Sequence, residues 1–440
     1  MVTADPEATR ALSRAVWALM LVALILATGW PAAVPRSIAD VPEYRQYAIA
    51  GPALVHSPYS GRVLHPLLVH LVSAATGLSI DSSFLAVALA TLAAFAILIA
   101  AIFAEIGAPP QAMVALMFCP LMAGAFDNIY FQDLTQWVLI AGFFWLMMRA
   151  QLWPAMAMLV LAYLTRESAL LLGAAVMGAG IMARDFRLII GAGAAIIIAA
   201  AIAAVFAAHG LPNQHHVNLL VFLALKMPFE FALNVLGLFI VPNTLAGFPS
   251  NQCVPIFIVH LPAALRFGGL SWVSYCGWRP EYTLFTLCEL VTLFGVCPGA
   301  MLAVMLRWPA MSRILEHRWL AIALIYGALA YALGTSEGAE LDREIGSAWP
   351  IFWIALPALI GAGRSLARPV MIRLAVYNLF VAWIAPWIET ATGYSNSGIF
   401  ATIVIAIVFQ YLAFREVSRL EQVGGVLPSG GLKPRLAARN

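Results

Sequence analysis

Apolar residues fill long stretches of this chain on every side, rather than along one stripe or in alternation. Five runs, at 15–33, 84–104, 188–208, 370–388 and 397–414, approach or reach the length that carries a helix across a bilayer, roughly 20 residues. A membrane barrel would show short alternating segments instead. The pattern predicts an all-α polytopic membrane protein. Shorter apolar stretches add helices near 112–126, 134–149, 152–164, 168–183, 282–306, 319–334 and 350–363, for a bundle of about twelve. The region 209–281 is left open. Its apolar stretches at 231–247 and 254–265 could cross, re-enter or lie on the surface, and two more crossings would make about fourteen without changing the later topology.

Composition agrees. The 440 residues are 63% hydrophobic and 10% charged, with a mean hydropathy of +0.91, where soluble proteins carry roughly 25% charged residues. The first run follows Arg10 and Arg14 but is longer than the apolar core of a secretion signal, about 7–15 residues, so it reads as a retained helix. Residues 1–420 read as a single transmembrane domain. Within it, 34–83 form the first outer loop with juxtamembrane helices, and 209–281 an outer or re-entrant region. The tail 421–440, rich in Gly and Pro with basic residues, reads as a disordered cytoplasmic end.

Charge sets the expected orientation. With both termini in the cytoplasm, most of the 24 Lys and Arg fall inside, among them Arg149, Arg184, Arg187, Arg307, Arg313, Arg318, Arg364, Arg368 and Arg373. This requires that 62–83, interrupted by His65, Pro66, His70 and Gly77, lie as an amphipathic helix on the outer surface; as a span it would turn the basic loops outward. Most of the acidic residues, and all histidines but His317, then collect on the outer side, while mid-helix regions are nearly free of charge. A transporter usually keeps polar groups at the bilayer midplane. The pattern favours a site at the outer interface. The net charge of +3 is spread along the chain and gives no sign of nucleic acid.

Candidate chemistry lies in four short stretches. The first outer loop, "ADVPEYRQYAIAGPALVHSPYSGRVLHPLL", carries Asp40 at the start of a helix with Glu43 on its face, and offers His56 and His65 as further polar groups. Asp40 could simply cap that helix. In "AFDNIYFQDLTQW", Asp127 ends one helix and Asp133 opens the next, each a cap or one of two carboxylates able to hold a divalent cation such as Mg2+ or Mn2+. "LTRES" is the turn between the fifth and sixth helices. There Arg166 either pairs with Glu167 at an interface or grips a phosphate through paired hydrogen bonds. "EGAELDREIGSAWP" places Glu340 and Arg343 in a second candidate head-group loop. The five cysteines match no zinc or redox motif; Cys253 and Cys276 could be bridged in an oxidising compartment.

In order, these features resemble the GT-C superfamily of polyprenyl-phosphate-dependent membrane glycosyltransferases, in an uncharacterised bacterial branch. The resemblance rests on Asp40, Tyr44, Arg62 and Pro66 in the first outer loop, Asp133 opening the fourth helix, the "TRES" turn, and Glu340, Arg343 and Pro350 before a late helix. It implies a GT-C-like bundle in the inner membrane with a site on the periplasmic face. A sugar would leave a polyprenyl-phosphate donor for an acceptor hydroxyl on a lipid or glycan, by single displacement with inversion. Asp40 would be the general base. Glu43, Tyr44, His56, Arg62, His65, Arg166, Glu167, Glu340 and Arg343 would contact substrate, with Arg166 or Arg343 on the phosphate. No large soluble C-terminal domain is apparent, and the second acid near Asp40 is Glu43. The alternative is a lipid-linked saccharide transporter or flippase.

Overall fold

The apolar runs form helices, with two exceptions that shape the protein. A computed structural model describes residues 6–29, 40–56, 59–124, 126, 129–211, 219–242, 254–258, 272–307, 317–336, 341–360, 367–392 and 395–423. The N-terminal half contains α1 (Pro6–Gly29), α2 (Val41–Ala50), α3 (Leu64–Thr76), α4 (Ile80–Glu105), α5 (Gln111–Met117), α6 (Pro120–Gly124), α7 (Asp133–Met148), α8 (Leu152–Thr165), α9 (Leu170–Ala183) and α10 (Phe186–His209). After α11 (Leu219–Leu236) come strands β1 (Leu238–Pro242), β2 (Val254–Ile258) and β3 (Trp272–Trp278). The chain continues through α12 (Pro280–Thr292), α13 (Cys297–Arg307), α14 (Arg318–Leu333), α15 (Leu341–Gly346), a π-helical turn at Ile351–Ala355, α16 (Leu356–Ile360), α17 (Ala367–Thr392) and α18 (Asn396–Val423).

This is a multi-pass membrane architecture. Among the described residues, α1, α4, α10, α14 and α18 are long and apolar enough to cross alone, and α12 with α13 forms a sixth candidate bent by 72°. The spans predicted at 112–126, 134–149, 152–164, 168–183 and 350–363 correspond to shorter helices, and that at 370–388 lies within the 26 residues of α17. At 1.5 Å per residue, the 16 residues of α7 and the 14 each of α8 and α9 reach only about 21–24 Å. These helices depend on neighbours rather than lipid for their surroundings, with α4, α7, α8, α10, α9 and α14 packed in succession. An aromatic cluster fixes the centre: Trp349 lies 5.3 Å from Phe95 and 5.8 Å from Trp353, and Trp353 is 6.0 Å from Trp137 and 5.9 Å from Phe294.

The bend corrects the single helix predicted at 282–306. Gly295 has φ +56, a conformation that favours glycine, and the break exposes backbone groups that water cannot serve inside a bilayer. Two later side chains serve them. Asn378 on α17 accepts from the Val296 N–H at 2.7 Å and donates to Ala115 O at 2.8 Å, while Gln410 on α18 donates to Val291 O at 2.6 Å. Neither amide announces this in sequence, because each is a lone polar residue in an apolar run.

The second exception is the sheet, which the all-α expectation did not include. Its order is β1-β3-β2 with both pairings antiparallel. An open sheet edge does not cross lipid, so 254–258 is no span. The C-terminal end of α11 is tied to the same end of the bundle as the "TRES" turn: Asn234 donates to Thr335 O at 3.0 Å, and the Arg279 N–H to Gly237 O at 2.7 Å. The chain therefore enters α12 from the side that α10 reached. Cys276 on β3 is disulfide-bonded; its expected partner Cys253, like the tail beyond 423, lies outside the described residues.

Where α14 meets the π-helical turn, a methyl added at Gly327 would stand 2.7 Å from Ile351 Cγ2 and 3.0 Å from its backbone nitrogen. We expect Gly327→Ala to cost about 1–3 kcal/mol through overpacking, measured as a lower melting temperature in detergent. An unchanged melting point would mean that this contact can relax.

Candidate active site

Two polar rungs close the first loop onto α2. Asp40 precedes α2 but makes no side-chain cap; its Oδ1 accepts from the Tyr59 hydroxyl at 2.7 Å. Three residues on, Glu43 accepts from the His56 N–H at 3.1 Å, with its other oxygen 2.9 Å from His56 Nδ1. The same spacing of three in both pairs brings His56 and Tyr59 back beside Glu43 and Asp40. On its outer side α2 is anchored to α4, where Arg45 grips both oxygens of Asp81 at 2.8 and 2.9 Å. Tyr44 is fully buried and its oxygen accepts from Arg62 at 2.6 Å. Arg62 also donates to Glu167 at 2.8 Å and lies 5.2 Å from the centre of the Tyr59 ring.

A second cluster adjoins the first through the adjacent residues Arg166 and Glu167. Asp133, at the start of α7, accepts from Arg166 at 2.8 Å with Oδ1 and from Arg343 at 2.7 Å with Oδ2. Arg166 also donates to Glu344, and the Arg343 guanidinium sits 3.6 Å over the Phe131 ring. Arg166 is only 5% exposed. Its position corrects the expectation of an interfacial Arg166–Glu167 pair that needs no burial. The backbone at Arg166 is extended, with φ −160 and ψ 135, so successive side chains point apart. Arg166 turns inward to Asp133 and Glu344, and Glu167 turns to Arg62.

Three guanidiniums thus face three carboxylates, Asp133, Glu167 and Glu344. Asp40 is the exception. Among the described residues its bonded side-chain partner is a neutral phenol. Burial, then the bond to Asp40, pushes the Tyr59 hydroxyl well above the usual phenol range, so it stays a donor. His65 is buried, with Nδ1 2.8 Å from Thr135 Oγ1, and burial lowers its pKa to about 4; it is neutral at neutral pH.

The structure brings together Asp40, Tyr44, Arg62, Arg166, Glu167, Asp133 and Arg343, and sets Glu43 with His56 beside them. Asp127 and Glu340 lie outside the described residues. A divalent cation does not fit Asp133 as placed, since each carboxylate oxygen is held by a guanidinium that would repel it. Among the described residues no three His, Cys, Asp or Glu side chains gather to hold a metal. Sequence reasoning missed Glu344 as a partner and Tyr59 as the donor to Asp40. Glu344 follows Arg343 directly, and the signal for Tyr59 was its spacing of three from His56, matching Asp40 and Glu43.

Comparison with known proteins adds little to this geometry. No protein-family model matches the chain, and no curated sequence matches it. In fold it is similar to ArnT from Cupriavidus metallidurans, solved in the apo state (14% identity, TM-score 0.43) and bound to undecaprenyl phosphate (15% identity, TM-score 0.45). Both matches cover 92% of this chain and 76% of that one.

Proposed function

We propose that this protein is a membrane glycosyltransferase that moves a sugar from a polyprenyl-phosphate donor to an acceptor hydroxyl, at the end of the bundle where α2, α7 and α15 meet. One observation carries the reading: Asp40, a carboxylate without a cationic partner among the described residues, stands beside a largely buried set of three arginines. Those are the two halves of a displacement on a sugar phosphate. Asp40 takes the proton of the acceptor hydroxyl. The acceptor oxygen attacks the anomeric carbon from the face opposite the phosphate, the bond from that carbon to the phosphate oxygen breaks, and configuration inverts. The electron pair leaves on the lipid phosphate, whose growing charge the guanidiniums stabilise. Because each arginine is already paired, phosphate binding displaces or shares a carboxylate on Arg166 or Arg343. The acceptor is a lipid or glycan hydroxyl, and no step needs a metal.

The site end is assigned to the periplasmic face of the inner membrane. Arg149, Arg184, Arg187 and Arg318 sit at helix ends remote from the site, as the positive-inside rule asks of a cytoplasmic face. The disulfide at Cys276 suits an oxidising compartment.

The test is binding of undecaprenyl phosphate to purified protein in detergent. Charge-assisted hydrogen bonds contribute about 1.5–3 kcal/mol, so Arg166→Ala and Arg343→Ala should each weaken it roughly 10- to 100-fold. Arg343→Lys, which keeps charge but not the paired donors, should fall between. No binding to wild-type protein, or equal binding by all variants, would sink the phosphate role.

A further inference from the structure

The first turn of α7 carries polar groups that the reaction above does not use. Gln132, Thr135 and Gln136 fall at spacings of three and four, on one face of the turn that also presents Asp133. All three are at most 3% exposed. Thr135 meets His65 of α3 across the interface, and Gln136 Nε2 donates to Ser168 Oγ at 3.0 Å in the turn after Arg166. Four polar atoms here find no hydrogen-bond partner among the described residues: Gln132 Oε1 and Nε2, Gln136 Oε1 and His65 Nε2. Buried polar atoms are almost always paired, and an amide with neither end satisfied is the rarer case. Here Gln132 has neither end satisfied, Gln136 has a free oxygen, and the His65 imidazole of α3 meets the same face of α7 with a free nitrogen.

We infer that this face of α7 is a subsite for the hydroxyl groups of the sugar, formed by Gln132, Gln136 and His65, closed at rest and completed by ligand. The inference rests on the glycosyltransferase reading and adds which groups recognise the sugar. A sugar hydroxyl donates once and accepts once or twice, and this set supplies both complements: a donor from Gln132 Nε2, acceptors from the two amide oxygens, and either role from the imidazole nitrogen. A carboxylate or ammonium in this place would demand a charged ligand, but these groups are neutral. Location agrees, since Asp133 on the same turn holds the arginines assigned to the phosphate, and the sugar is bonded directly to that phosphate. The unpaired atoms are inaccessible to water in the resting arrangement, so the sugar enters with a local parting of α3 from α7. That opening is favoured because the closed form leaves polar groups unsatisfied.

The experiment compares affinities of wild-type protein and Gln132→Met for undecaprenyl phosphate and for undecaprenyl-phosphate monosaccharides, both hexoses and pentoses, with melting temperature measured on the same samples. Methionine keeps the length of glutamine and removes both unpaired atoms. The expected result is that wild type binds at least one glycosylated lipid 10-fold or more tighter than the bare lipid. Gln132→Met should lose that preference, bind bare lipid unchanged, and melt no lower than wild type. Gln136→Met should reduce the same preference. A preference unaffected by Gln132→Met overturns the subsite, as does a wild type that binds all these lipids equally. Loss of folding in Gln132→Met would show that the amide is already paired inside the resting protein, and also overturns it. Failure of wild type to bind even bare undecaprenyl phosphate is a separate outcome: it removes the donor reading itself, and the subsite with it.

Discussion

Asp133→Ala will destabilise the protein by about 3–5 kcal/mol, the loss typical when one member of a buried ion pair is removed. The aspartate is the shared anion of two guanidiniums, at 2.8 Å to Arg166 and 2.7 Å to Arg343, and the three side chains are 17%, 6% and 10% exposed. Its removal leaves two positive charges crowded around an apolar methyl, with Glu344 left to serve Arg166. Much of the loss comes from these stranded cations rather than from the bonds themselves. Asp133→Asn should cost less, because the amide oxygen can still accept from one arginine while its nitrogen turns a donor toward the other. Thermal unfolding in detergent, with α-helical content followed by circular dichroism, checks the order: wild type, then Asn, then Ala. If Ala costs under about 1 kcal/mol, water reaches this network and the pairs behave as surface bridges do.

Asp40→Asn will behave in the opposite way, with activity lost and stability kept. The substitution removes the ionisable group but leaves an oxygen that can still accept from Tyr59, so the rung that holds the loop on α2 survives. Among the described residues no guanidinium is stranded, since Asp40 bonds to none. Transfer from a glycosylated polyprenyl phosphate should fall by about 10²–10⁴-fold, the usual contribution of a positioned general base. Affinity for undecaprenyl phosphate and the melting temperature should stay as in wild type. Near-normal turnover would remove Asp40 from the chemistry. The two aspartates thus separate a group held for reactivity from one held for architecture, although both were candidate caps when read in sequence.

How far the sequence could be read depended on how local each signal was. The helix after Pro42 and the juxtamembrane helix near Pro66 were legible because proline and the apolar pattern act within a turn. Asp133 at a helix start was legible for the same reason. Its partners were not, because Arg166 and Arg343 are brought to it from 33 and 210 positions away by the packing of α8 and α14 against α7. Arg166 and Glu167 read as a pair because they are neighbours, and the extended backbone at Arg166 is what separates them. The strands were hidden in 209–281 by short apolar runs, which periodicity alone does not divide between strand and helix. The interrupted helix at Gly295 was hidden more deeply: one glycine in an apolar run is common, and its meaning depends on amides more than 80 residues later.

That dependence sets an order of events during synthesis. The carbonyls and N–H opened at the α12–α13 elbow are sealed by Asn378 and Gln410, which leave the ribosome after nearly everything else. Until then the elbow cannot close in lipid without unpaired backbone groups, and Asn378 is also the tie between that elbow and the end of α5. The elbow therefore closes last, from the C-terminal side. A chain stalled before α17 holds every residue of the candidate site and lacks the two amides that seal the elbow.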